Sequence, residues 1–281
     1  PDRDERGHPR AAAARGGAGT EVNPLRRVGV GVLGAVLLFL LGPFVVIALA
    51  GLSAGETLAF PPQGLSLRWV VAVFGMENFR ASFWLSLWLG VGSTALALLL
   101  GVPAAYGLAR YRVPGREAVR TVLIAPLIVP GIIVGLALLR HVMIPLDLGV
   151  TWALVLAHTV LVVPYAVRVV TASLDNLRPD VEEAAVLLGA TRLQTFFRVV
   201  LPNIRGGIMA AFILGFVTSF NQVPVSLFLT GPGITTLPID MLTSMEFVYD
   251  PSIAALSTLM ALLSIAIVAV AERALGLSRY M

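Results

Sequence analysis

The chain has no cysteine and no lysine; all twenty of its basic residues are arginine. Without cysteine there is no disulfide, no thiolate catalysis and no cysteine metal site. Without lysine there is no Walker A loop and no Schiff base, so the chain carries no standard ATP site of its own. Charge of either sign is also scarce. Only 13% of the 281 residues are charged, against about 25% in ordinary soluble domains. A water-facing surface is not built from so few charges, which argues against a soluble enzyme. Acids are missing from the middle of every apolar stretch. Asp147, Asp240, Glu246 and Asp250 lie near one set of ends and Glu272 near the other. The three histidines, His8, His141 and His158, show no metal-ligand spacing.

What is present is apolar sequence: 57% of residues are hydrophobic and the mean hydropathy is +0.89. The apolar residues fall in runs long enough for a hydrocarbon core of about 30 Å. Six runs, at about 28–52, 83–109, 119–139, 150–171, 207–229 and 252–275, predict an all-α polytopic membrane protein with six transmembrane helices. Residues 1–25 are rich in Arg, Ala and Gly and read as a disordered tail rather than a secretory signal. Residues 26–281 read as the membrane domain. Thirteen arginines, from Arg26 to Arg279, fall on the side that holds the N-terminus, and only Arg68, Arg80 and Arg140 on the other. By the positive-inside rule both termini are cytoplasmic. Trp69, Trp84, Trp88 and Trp152 sit near outer span ends, where interfacial aromatics belong. The net charge of +4 suits an anionic inner leaflet. The arginines flank apolar runs and form no stripe, which argues against nucleic acid.

Two segments outside the runs are long enough to have a task. The outer one covers 53–82. The cytoplasmic one covers 172–205 and predicts two short helices. Pro179 fits a first helical turn, and Asp180, Glu182 and Glu183 suit its positive end. Gly189 is placed to stop the helix in a left-handed cap. Thr191 then N-caps a second helix that ends by Pro202. Small Ala184 and Ala185 beside apolar Val186, Leu187 and Leu188 make a face that asks for a protein partner. A third segment, 230–251, mixes glycine and proline with apolar residues and suits a scooped outer loop.

The spacing Glu183-Ala184-Ala185, three residues, Gly189, nine residues, Val199, one residue, Leu201-Pro202 resembles the EAA loop of binding-protein-dependent ABC importer permeases. The family pattern prefers Ile at the Val199 position. The resemblance runs from the first apolar run to the sixth. It implies that the first short helix is a coupling helix, with Glu183, Ala184, Ala185 and Gly189 docking on an ATPase subunit, and Leu201 and Pro202 setting the return into the fifth span. It also implies two ATPase subunits that hold ATP and magnesium, a second permease, related or identical, an extracytoplasmic solute-binding protein, and a place in the bacterial inner membrane. Phe60-Pro61-Pro62, Gly64-Leu65-Ser66 and 223–232 look like the spermidine/putrescine-type branch, which also includes permeases for phosphonates, opines and ferric iron. Polyamine members tend to be acidic about where Asn221 and Gln222 stand; here both are neutral.

Thr218, Ser219, Asn221 and Gln222 fall near the middle of the fifth run. An amide in hydrocarbon is costly unless paired. These four residues either line a translocation path or bond to neighbouring helices. His158 and Tyr165 read as packing or interhelical bonds. The lack of a mid-depth acid argues against the rival class, a carrier driven by an ion gradient. Gly29 to Gly34 fits a GxGxxG pattern but opens an apolar run with no strand before it, so it is not a nucleotide site. Gly131 and Gly135 form a GxxxG pair suited to close helix contact.

Overall fold

The structure is a computed structural model that describes residues 24–247 and 250–275. The tail expected over 1–25 falls outside these residues up to Asn23, and so does Arg279. The described residues are mostly helical, with no strand among them beyond two isolated bridges, Ser53 to Leu65 and Gly231 to Ile234. Helix α1 covers Pro24–Gly51. Up to Val45 it belongs to a unit of its own, apolar around its circumference, with Leu38 and Phe39 about four-fifths exposed.

The second unit runs from Val46 onward. A short α2, Arg68–Gly75, precedes the long α3, Glu77–Arg110. Then come α4, Arg116–Ile124, and α5, Gly131–Leu138, continued by a π turn at Leu139–Met143. The long α6, Val150–Asp175, leads to α7, Pro179–Leu187, and α8, Arg192–Thr195. A π turn at Phe196–Val200 and the one-turn α9, Leu201–Asn203, enter α10, Arg205–Phe220. The chain ends through α11, Ser226–Leu229, α12, Leu237–Phe247, and α13, Ser252–Leu275.

Among the described residues three helices, Val28–Gly51, Glu77–Arg110 and Val150–Asp175, are long and apolar enough to cross a membrane, and counting each of two bent pairs as one span raises the number to five. The third expected span is not straight. Arg116–Leu127 and Gly131–Met143 meet at 99°. Pro130 has no N–H to carry the ladder across the corner, and its ring disfavours helical geometry at Val129. The fifth expected span is also interrupted. It stops at Phe220, unwinds around Pro224 and resumes at Ser226. At its other end, Arg192–Asn203 meets Arg205–Phe220 at 69°. In the sixth run, Ser252–Ile267 is apolar but shorter than a full crossing. The scooped loop contains α12, whose Leu237 and Ile239 are buried.

The centre of this unit is α3, α6 and α10 packed side by side, and small residues permit it. The Cα hydrogen of Gly101 faces Ala166 of α6, and that of Gly215 faces Val162 of α6 and Thr94 of α3. Gly90 lies against the Phe216 ring. In hydrocarbon, where apolar side chains gain little by leaving lipid, such close contact is the main force between helices. The GxxxG pair serves the same purpose: Gly131 lies against Pro224 and Gly135 against the Val225 backbone, so α5 covers the break after α10. Around the C-terminal ends of α3 and α6, Val102, Ala105, Val167, Val170 and Leu174 enclose Val200 and Ile204. That cluster fixes where the 172–205 segment leaves the helix bundle.

Candidate functional site

After Asp175 the chain turns through Asn176 to Arg178, and Pro179 opens α7. Arg178 pairs with Asp180 on the exposed side. Glu182 and Glu183 are consecutive, so they point about 100° apart around the helix. Glu183 is exposed. Glu182 turns inward and is the one buried residue of α7. Arg110, the last residue of α3, donates from Nε to Glu182 Oε1 at 2.7 Å. The Tyr106 hydroxyl donates to Glu182 Oε2 at 2.9 Å. The Nη2 of the same guanidinium donates to the carbonyls of Leu174 at 2.9 Å and Leu177 at 2.7 Å. Leu174 is in the last turn of α6 and Leu177 in the link that follows, so one arginine ties α3, the end of α6 and α7 together.

The far side of α7 is bare. Ala184 and Val186 are exposed, Ala185 is half-buried, and Leu187 and Leu188 are 88% and 89% exposed. The helix ends as the sequence predicts. Gly189 has φ +91°, its N–H donates to Val186, and Ala190 donates to Ala185. This is a Schellman stop, which needs the left-handed conformation that glycine adopts without strain. The Thr191 hydroxyl accepts from the Gln194 N–H at 3.2 Å, and the Gln194 side chain accepts from the Thr191 N–H at 2.9 Å. This reciprocal cap satisfies two orphan donors and starts the second helix. Leu201 is half-buried against the inner cluster, and Pro202 is exposed in the single turn before the 69° bend. A cleft of about 480 Å³ opens beside α7 between Tyr106, Arg110, Tyr111, Glu183, Leu187 and Arg192.

The structure places the four polar residues of the fifth run at the end of α10 rather than inside a continuous helix. Thr218 is half-buried and Ser219 buried; Asn221 is exposed and Gln222 half-buried, both beyond the last helical residue. The Asn221 amide donates to the Val217 carbonyl at 3.0 Å, within its own helix end. Ser219 is held from α6. His158 Nδ1 pairs with Ser219 Oγ at 2.7 Å, and Nε2 pairs with Ser226 Oγ at 2.9 Å. One ring nitrogen donates and the other accepts, so a single imidazole spans the break and satisfies a hydroxyl on each side. The interhelical role expected of His158 is therefore met. Replacing His158 by leucine leaves two buried hydroxyls unpaired and is expected to cost about 1–3 kcal/mol. Thermal unfolding in detergent measures it. A His158→Gln variant, which can both donate and accept, is expected to recover part of the loss.

Sequence reading missed the Glu182–Arg110–Tyr106 group. Its signal was present: Tyr106 and Arg110 are four apart on one helix face at a span end, and an acid flanks the pattern glutamate.

The chain is similar to known proteins in sequence and in fold. The model of the family described as "Binding-protein-dependent transport system inner membrane component" matches residues 97–277. The putrescine transport system permease protein PotI of Escherichia coli (strain K12) is 31% identical over 229 residues, covering 79% of this chain and 81% of that protein. The spermidine/putrescine transport system permease protein PotC of the same strain is 28% identical over 207 residues, covering 73% and 78%. Among solved structures, a bacterial ABC transporter involved in import of the acidic polysaccharide alginate superposes with a TM-score of 0.66. It has 17% identity and covers 89% of this chain and 96% of the matched one. The MetNI methionine ABC transporter superposes at 0.59 with 20% identity, covering 72% and 96%. These two show the shared fold.

Proposed function

The chain belongs to the family of binding-protein-dependent transport system inner membrane components, and on that premise we propose that it forms half of the translocation path of an ATP-driven importer. It is a transporter component whose work is motion rather than bond chemistry. Two ATPase subunits hold ATP and magnesium and grip the bare side of α7. A second permease, related or identical, completes the path, and an extracytoplasmic binding protein delivers the solute. In the bacterial inner membrane the chain takes six spans with both termini cytoplasmic: the bent pair from Arg116 to Met143, α10 with its continuation through α11, and α13 complete the three straight helices. The solute is small and polar, of polyamine, phosphonate or related type, with ferric iron or an opine-like compound as alternatives.

The observation that carries this reading is α7 itself. A nine-residue helix outside the apolar bundle is turned so that Glu183, Ala184, Leu187 and Leu188 face outward. A leucine pair nine-tenths exposed has no use in water and suits a groove on another protein. Thr218, Asn221 and Gln222 line the path beside the break, with Ser219 fixing its position. Breaks of this kind free backbone groups for polar contact where a spanning helix would have none.

The test is reconstitution in vesicles with the ATPase subunits and binding protein, using radiolabelled putrescine as probe. Uptake is expected to require ATP. Uptake that ignores ATP and follows a proton gradient overturns the proposal in favour of an ion-driven carrier. In the same system Asn221→Ala is expected to change solute-stimulated ATP hydrolysis several-fold at wild-type thermal stability. Unchanged hydrolysis with lowered stability would return Asn221 to a helix-capping role.

A further inference from the structure

We propose that Glu182, Arg110 and Tyr106 form a rigid clasp through which displacement of α7 is passed to α3. This inference rests on the importer reading above and identifies how motion applied at α7 enters the membrane helices. The connecting chain alone would let α7 swing. Residues Asn176 to Arg178 form an irregular link on one side, and Gly189 and Ala190 on the other. Apolar burial on α7 is slight, since its sole fully buried residue is the glutamate. Its directional hold on α3 is charge-assisted hydrogen bonding, which is shorter and stronger than the neutral kind.

The geometry suits a joint that transmits both push and pull. The Arg110 and Glu182 side chains are 15% and 11% exposed, so water screens the pair little. The planar guanidinium makes bonds in fixed directions to Glu182, Leu174 and Leu177, and the Tyr106 hydroxyl fixes the second carboxylate oxygen. A carboxylate gripped on both oxygens resists rotation as well as separation. Burying a charge pair is a poor way to gain stability, since apolar residues of similar volume often do as well. It is a good way to impose one relative position. Downstream, α3 meets α10 at Thr94 and Gly215, one turn before Ser219 and the His158 bridge. Arg110, Glu182 and Tyr106 are thus positioning residues that act on the path through α3.

The natural absence of cysteine makes the test direct. Spin labels on Asp180→Cys in α7 and Arg112→Cys beyond α3 report the distance between the two elements in the assembled transporter, nucleotide-free and trapped with ATP and vanadate. The expected result is a narrow distribution with the same centre in both states. Glu182→Gln is expected to keep the ATPase subunits in pull-down but to broaden or shift the trapped-state distance. Arg110→Met, which keeps much of the side-chain length but removes every donor, is expected to broaden the distance in the same way, which a merely space-filling role would not require. A wild-type distance that changes between states overturns the proposal, as does a Glu182→Gln distribution like the wild type. Loss of the ATPase subunits by Glu182→Gln but not by Arg110→Met overturns it too, by making Glu182 part of the docking face. Failure of the wild-type chain to bind ATPase subunits strikes the importer reading instead and is recognised by the pull-down alone.

Discussion

Replacing Leu187 and Leu188 together by aspartate is expected to strip the ATPase subunits from the complex and leave the permease folded. Both side chains are nearly nine-tenths exposed, so the isolated chain loses no packing when they change. On docking, each leucine that enters a groove gains about 1.5–3 kcal/mol from leaving water. Losing both, and adding two carboxylates that must be desolvated, predicts a fall in affinity of about a hundredfold or more. Glu183→Arg tests the same face by reversing an exposed charge one turn away, and a bulky residue at Ala184 tests it by shape. Co-elution of ATPase subunits by size exclusion measures all three, with thermal unfolding of the permease as control. If the ATPase subunits stay attached to the double aspartate variant, α7 is not the docking element.

The second large effect is expected at Gly215. A methyl group there would stand 2.5 Å from Val162 Cγ1 and 3.0 Å from Thr94 Cγ2. Val162 is fully buried in α6 and has no space to retreat into. A side chain at this position must therefore lift α10 away from α3 and α6 together. Overpacking of this kind costs about 1–3 kcal/mol for a small intrusion, and Gly215→Val is expected to reach the upper end or exceed it. Gly206 provides the control on the same helix, since a Cβ there meets nothing within 4 Å. Gly206→Ala is expected to be neutral. The melting temperatures of the two variants in detergent decide the matter. A Gly215→Val protein that melts with the wild type would mean that α10 does not pack where the structure puts it.

These two predictions differ in how far they were visible beforehand. The α7 corner was legible because its signals are local. Pro179, Gly189 and the Thr191–Gln194 pair each act on backbone within four residues, and each does in the structure what its chemistry demands. The α3–α6–α10 core was not legible. Apolar runs announce helices but not which glycine meets which neighbour across 53 residues of sequence, as Gly215 meets Val162. The interruptions at Pro130 and Pro224 lie between. Proline disfavours a continuous helix at both places, yet hydropathy continues across the corners and hides a 99° turn. Glu182 was obscured for another reason. Adjacent to the pattern glutamate, it looks like one more solvated acid until the helix phase turns it toward Arg110.

The clasp at Arg110 also sets a common level for two helices of unequal length. Arg110 lies beside Leu174, and α3 and α6 run in the same direction from there. Counting back twenty-two residues from Arg110 gives Trp88, and twenty-two from Leu174 gives Trp152. Each is about 33 Å from the pinned end at 1.5 Å per residue, close to the hydrocarbon thickness of about 30 Å. Both indoles are more than half exposed. On the proposed orientation they would share one depth, where interfacial aromatics belong. Beyond that depth α3 continues for eleven residues to Glu77, about 16 Å, where Phe79 and Phe83 pack with Val73 of α2, Leu237 of α12 and Leu256 of α13, so this end of the helix is a braced shoulder.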